Sequence, residues 1–441
     1  MTRSTRRTAG PATLIRGRIL SFHADPAGTE DAYSYLEDGG ILIEGGTIRA
    51  VADFAAFTAG DAKVIDHRPH LIMPGFIDPH IHFPQLQVVA SWGAQLLDWL
   101  HDYTFPAEAR FADPAHAEAM AGAFLGLLLD HGTTTACAFG SVHPGSIDAL
   151  FAAAEARGMA MLGGKVMMDR GALPALQDTA QRSYDETRAL IERWQRCGRL
   201  TPVITPRFAL TSTPEQLAAA GALVAEFPHL PIQTHLSENR AEMAEALRLF
   251  PEARDYLDIY DRFGLLGPHS LMGHAIHLSD REIARMAETG TRAIHCPTSN
   301  LFLGSGLFDH AGLRQAGVIT GIATDIGGGT SYCMLQTLGE AYKIAQLRGA
   351  RLHPLTAFHW ATRGNAIALG MEARIGTLAP GSDADLVVLN AAATPAMALR
   401  AARAETLTDE LFILQIMGDD RAIAQTYIAG EPMKDETAAC I

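Results

Sequence analysis

Two histidines one residue apart, His80 and His82, close the apolar stretch PGFIDPHIH, which runs on through Phe83 and Pro84 to Gln85. In an extended strand alternate side chains share a face, so both imidazoles project the same way, roughly 7 Å apart at a rise of about 3.3 Å per residue. That is the first part of a metal site. Zinc takes three or four protein ligands, and a catalytic zinc keeps one position for water. Further histidines and acids follow at the ends of other apolar runs: His235 and Glu238 in QTHLSE, His274 and His277 in MGHAIH, His295 and Asn300 in HCPTSN, and Asp325 in ATDIGGG. The types fit hydrolysis. Imidazole-held zinc lowers the pKa of a water to about 7. His80, His82 and His235 are the expected ligands, and Asp325 is a ligand or base rather than only a helix N-cap. Glu238 is a carboxyl placed to carry a proton to the substrate and then to the leaving group, and His274 is a fourth ligand or a partner of the attacking oxygen. His277 and His295 are expected in the core or at the rim, and Lys165 as a satisfied strand lysine rather than a carbamylated metal bridge.

Positioning these groups falls to an alternating middle region. Strand-like runs occur at 71–78, 133–139, 160–167, 202–209, 231–235, 270–277, 292–296 and 319–324. Helical patterns such as AEAMAGAFLGLLLDHG and SYDETRALIERWQRCG fill most gaps, and Thr213-Pro214-x-Gln216 opens another with an N-cap and a first-turn proline. Eight strands alternating with helices is the count of a (β/α)8 TIM-like barrel, whose chemistry sits at the C-terminal ends of the strands. No glycine-rich dinucleotide loop follows the first run, which argues against a doubly wound sheet. Before the barrel lie β-like pieces (TLIRGRILSF, GGILIEGGTIRAV, KVIDHRPHLIM), and after it GTLAPGSDADLVVLN and AIAQTYIAGEPM. The expectation is a small β-sandwich built from both termini, residues 1–70 and 371–441, around a barrel over 71–370, with 1–10 a loose tail.

The formal net charge of −14 argues against a nucleic-acid partner, and no apolar run is long enough for a membrane span. Arg16 and Arg18 interrupt the only stretch resembling a signal peptide. Five widely spaced cysteines form neither a disulfide framework nor a zinc ribbon, so a reduced, cytoplasmic protein is expected.

PGFIDPHIH, THLSE, GH, HCPTSN and ATDIGGG, in this order, resemble the metal-dependent amidohydrolase superfamily over nearly the whole chain. Longer segments narrow the resemblance to the guanine deaminases: HIHFPQ, LLDWLHDYTFPAE, GKVMMDR, TPRFALT, HLSENRAE, SNLFLGSGLFD and TDIGGGTSYCMLQTLGEAYK. The resemblance implies deamination of guanine to xanthine with one Zn2+ per subunit. It implies His80, His82, His235 and Asp325 as ligands, Glu238 as proton shuttle and His274 as its assistant. Gln85, Arg207 and Phe208 would line the purine site, and the assembly would be a homodimer. One residue departs from the family pattern: Pro79 stands where a threonine is usual, which puts the geometry around the ligands in question. The rival readings are a deaminase of another ring (8-oxoguanine, a pterin or a triazine) and a catalytically dead barrel that only binds.

Overall fold

Strands and helices alternate through the middle of the chain in the computed structural model, which describes residues 12–29, 31–58, 60–92 and 95–434. The expected tail at 1–10 and Cys440 fall outside the described residues. Phe76–His82, Thr133–Phe139, Ala160–Gly164 and Leu200–Pro202 make one four-stranded sheet in chain order. Ile232–Leu236, Ser270–His274, Arg292–His295 and Thr320–Ile322 make a second, all neighbours parallel. A parallel bridge at Ile204 and Ile232 links the two. At the opposite edges Asp325 N donates to His80 O at 3.0 Å and His82 N to Ile326 O at 2.6 Å. Almost every residue of these strands is buried, as parallel sheets covered by helices require.

Three boundaries differ from the sequence reading. The apolar run 71–78 is not one strand: Lys63–Pro74 ends one sheet's strand and Phe76–His82 starts another's. The break is at Gly75, where an added Cβ would lie 2.2 Å from Thr134 Cγ2. Only glycine lets the chain pass that close. The run 202–209 divides into Leu200–Pro202 and Thr205–Pro206, and 160–167 into Ala160–Gly164 and Val166–Met167. Pro202 and Pro206 lack the N–H that a continuous ladder needs in the first of these runs. The expected helix start at Thr213 is present. Thr213 Oγ1 accepts from Gln216 N at 3.2 Å at the start of Pro214–Glu226.

Strands from both ends of the chain share one seven-stranded sheet. Its order is Glu431–Pro432, Ile423–Ile428, Leu386–Leu389, Lys63–Pro74, Thr13–Phe22, Tyr33–Glu44 and Thr47–Asp53. Leu386–Leu389 runs antiparallel to residues 71–74. Gly45 and Gly46, at φ 58° and 82°, form the hairpin turn between the last two strands, a conformation that suits glycine at both positions. Ile15, Ile41, Ile72, Leu386, Val388 and Tyr427 pack in its core. Two helices, Pro395–Ala401 and Leu407–Met417, fill the stretch between the two C-terminal β pieces. Two compact units result: residues up to Ile77 with Leu128–Thr134 and from His353 onward, and Asp78–Leu127 with Thr135–Leu352. Among the described residues no helix is long and apolar enough to cross a membrane.

Gly75→Ala is expected to destabilise the protein by about 1–3 kcal/mol through overpacking. Gly122→Ala, in the Pro114–Asp130 helix with nothing within 4 Å of the new Cβ, should be neutral or stabilising. Urea unfolding of the two variants beside the parent checks the contrast.

Candidate active site

The second unit brings the dispersed histidines together. His80 and His82 leave the same strand face with ring centroids 5.3 Å apart. The facing nitrogens of His82 and His235 (Nε2 on each) lie 3.1 Å apart. Asp325 Oδ1 is 3.4 Å from both His80 Nε2 and His82 Nε2. Ligand atoms of His80, His82 and His235 all fall within 4.8 Å of one another, and so do those of His80, His274, Cys296 and Asp325. The four expected ligands therefore converge.

Hydrogen bonds determine which nitrogens carry protons. His235 Nδ1 is 2.7 Å from Arg207 O, a pure acceptor, so Nδ1 donates and the Nε2 lone pair faces His82. Burial holds His82 down at about 3 and His235 well below its usual value, so both are neutral. Both ring nitrogens of His80, and Nδ1 of His82, are buried with no hydrogen-bond partner. Burial alone would raise Asp325, but the imidazoles of His80 and His82, each 3.4 Å from its Oδ1, together with His274 outweigh it and keep Asp325 well below the usual carboxylate range. Lone pairs and a carboxylate crowding one buried point fit a divalent cation. Cys296 fits less well, because burial holds its thiol well above its usual value.

The backbone is bent to present these groups. His274 and Asp325 sit at φ 65° and 53°, a left-handed conformation costing about 1–3 kcal/mol at a non-glycine residue. Opposite His80, Gly273 has no room for a side chain: a Cβ would lie 2.4 Å from His80 Cε1. Beneath His80 the buried Asp78 accepts from His80 N (3.3 Å), Thr324 N (3.2 Å) and Thr324 Oγ1. Burial pushes Asp78 up to about 7, with these bonds opposing. Pro79 lies within the strand Phe76–His82 without breaking it.

Glu238 Oε2 stands 3.4 Å from His274 Nε2, and Ser305 Oγ donates to Glu238 Oε1 at 3.2 Å. Burial, reinforced by the charge of Asp325, pushes Glu238 up to about 8, so it can hold or release a proton near neutrality. Behind it Glu242 accepts from the Glu238 and Asn239 N–H groups, which fixes the loop after His235. His274 Nδ1 lies 2.9 Å from Asn300 Oδ1, and a proton shared there leaves Nε2 facing Glu238 and Asp325.

His82, His235, Glu238, His274 and Asp325 border one cavity, whose other walls include Gln85, Arg207, Phe208, Leu96, Trp99 and Leu100. The Trp99 Nε1–H is buried without a partner. Sequence reasoning passed over one neighbour of the wall, Glu108, whose carboxylate binds both Arg207 and Gln85. Of the other histidines, His277 Nε2 meets Ser305 O at 2.8 Å, and His295 stacks on Phe308 with centroids 4.5 Å apart. Lys165 is buried in ion pairs with Asp178 at 2.5 Å and Glu186 at 2.9 Å.

Residues 71–433 match the Amidohydrolase family. The chain belongs to the amidohydrolase family. Within that family it is 46% identical over 430 residues to the guanine deaminase of Escherichia coli (strain K12), covering 96% of this chain and 98% of the relative. A solved structure titled E. coli guanine deaminase superimposes with a TM-score of 0.94 at 44% identity, covering 96% and 99% of the two chains. A guanine deaminase structure from C. acetobutylicum, described with guanine bound in its active site, gives 0.87 at 29% identity, covering 96% and 99%. Amidohydrolases are metal-dependent, and this chain has a cluster of the matching chemistry.

Gly273→Ala should displace the His80 ring and at least halve the metal retained per chain while leaving circular dichroism unchanged. Elemental analysis after dialysis makes the comparison.

Proposed function

We propose that this amidohydrolase converts guanine and water to xanthine and ammonia. What carries the reading is the meeting of His82, His235, His274, Asp325 and Glu238 with Arg207 and Gln85 around one cavity, with His80 behind them in the same cluster. The guanine deaminases that share its sequence and fold support the choice of ring. We assign His80, His82, His235 and Asp325 as ligands of one Zn2+. Zinc bound there supplies Lewis-acid activation of a water near neutral pH. Glu238 would take one proton from the attacking water as the water oxygen joins the ring carbon bearing the amine, and pass it to the adjacent ring nitrogen. A second proton, released by the new hydroxyl as its carbonyl forms, would pass through Glu238 to the amine, the C–N bond would break, and ammonia would leave. His274 Nε2, set by Asn300, faces the attacking oxygen. Arg207 donates to the purine edge, Gln85 reads it with its amide, and Phe208 packs against the ring.

The fold reading is a closed (β/α)8 barrel over residues 71–370 with a terminal β-sandwich from 1–70 and 371–441. Its supports are the two four-stranded sheets joined at Ile204–Ile232 and at His80–Asp325, and the sheet shared by both chain ends. A homodimer and a cytoplasmic location complete the assignment, and sedimentation and cell fractionation test them. A deaminase of a related ring is the second reading, because a mere change in the ring would leave the metal corner unaltered.

Ammonia release from guanine, adenine, cytosine, 8-oxoguanine and pterin should be largest with guanine, and an inert guanine beside an active pterin would favour the second reading. Glu238→Gln should abolish turnover and keep the metal. The same variant tests the raised proton affinity. A carboxyl held higher in the folded than in the unfolded state stabilises below its unfolded value of 4.5, and that contribution is lost as pH rises through about 8. Metal-free Glu238→Gln should therefore melt above the metal-free parent at pH 9 and together with it at pH 4.

A further inference from the structure

Glu108 has no role in the chemistry above, yet it is fully buried at the cavity's edge, on the short helix Phe105–Ala109. Both of its oxygens lie 2.8 Å from Arg207 Nη1, and Gln85 Nε2 donates to Oε1 at 2.9 Å. The Gln85 Oε1 in turn accepts from Gly327 N at 3.1 Å. Phe105, three residues before Glu108, lies under the Arg207 guanidinium at 5.4 Å.

Two consequences follow from this geometry. Arg207 is 2% exposed, so in low dielectric its charge dominates the wall unless something cancels it, and Glu108 does. The pair presents a neutral wall that still keeps guanidinium donors for a ring edge. Second, the Gln85 amide is held one way round. Its nitrogen must face the carboxylate and its oxygen the Gly327 N–H, which leaves one donor and one lone pair for substrate.

We propose that Glu108 is a positioning and selectivity residue, which directs Arg207 and Gln85 and makes the pocket take a neutral aminopurine rather than an anionic ring. The proposal rests on the functional reading given above. Without the carboxylate, Arg207 would stand as an uncompensated cation, and an anionic purine would gain what the neutral one loses.

Parent, Glu108→Gln and Glu108→Asp are compared by guanine kinetics, by metal content, and by calorimetric binding of urate (an anion at neutral pH) and hypoxanthine (neutral). Glu108→Gln is expected to keep its metal, raise KM for guanine about tenfold with kcat changed much less, and shift the urate-to-hypoxanthine affinity ratio about tenfold toward urate. Glu108→Asp keeps the charge on a shorter arm, so KM should rise while the ratio stays at the parental value. An unchanged ratio in Glu108→Gln, or a fall in kcat and metal with KM untouched, overturns the proposal. If Glu108→Gln fails to fold, Glu108→Asp decides, because a parental KM there contradicts the positioning role. A parent that leaves guanine intact would instead refute the functional reading, and the two binding affinities would still test Glu108.

Discussion

The structure depends on the close approach of two neutral imidazoles beside a carboxylate. His82 Nε2 and His235 Nε2 are 3.1 Å apart, and neither ring carries a charge at working pH. The His235 Nε2 lone pair faces His82, and an ionised Asp325 beside them adds a negative charge. A cation placed there would be attracted to both. Much of the unit can be understood as holding the groups in place: Arg207 O orients His235, Asp78 secures His80 and Thr324, and Gly273 leaves room for the His80 ring. The left-handed backbone at His274 and Asp325 is strain that only a well-packed surround sustains.

The same packing separates two roles for buried carboxyls. Asp325, set among the His80, His82 and His274 imidazoles, stays ionised, whereas Glu238, bonded by Ser305 and raised by burial and by the charge of Asp325, keeps its proton to a much higher pH. Two acids lining one cavity are thus driven apart, one toward charge stabilisation and the other toward proton transfer. On the substrate side a third, Glu108, is paired with an arginine. Three carboxyls are used in three ways, and environment alone distinguishes them.

The site was more legible in the sequence than the fold around it. A histidine or acid at the end of an apolar run stands out because a plain strand has no use for one, so His80, His82, His235, His274 and Asp325 could be singled out individually. Glu108 could not. It is the one acid of the short helix Phe105–Ala109, and its partners Gln85 and Arg207 are 23 and 99 residues away, a pairing that no local spacing encodes. Asp78 was likewise hidden, since its partner Thr324 is 246 residues distant. Strand breaks at Gly75 and around Pro202 and Pro206 were missed for a related reason. An apolar β-favouring run looks continuous until a neighbour such as Thr134 shows that the chain must change sheets.

The most direct test of the metal corner is anomalous diffraction at the zinc edge from crystals of the protein purified in the presence of zinc. A single peak within coordination distance of His80, His82, His235 and Asp325, at roughly 2.0–2.2 Å from each ligand atom, is the predicted result. A peak at Cys296, or no peak with the imidazoles still converging, would contradict the account.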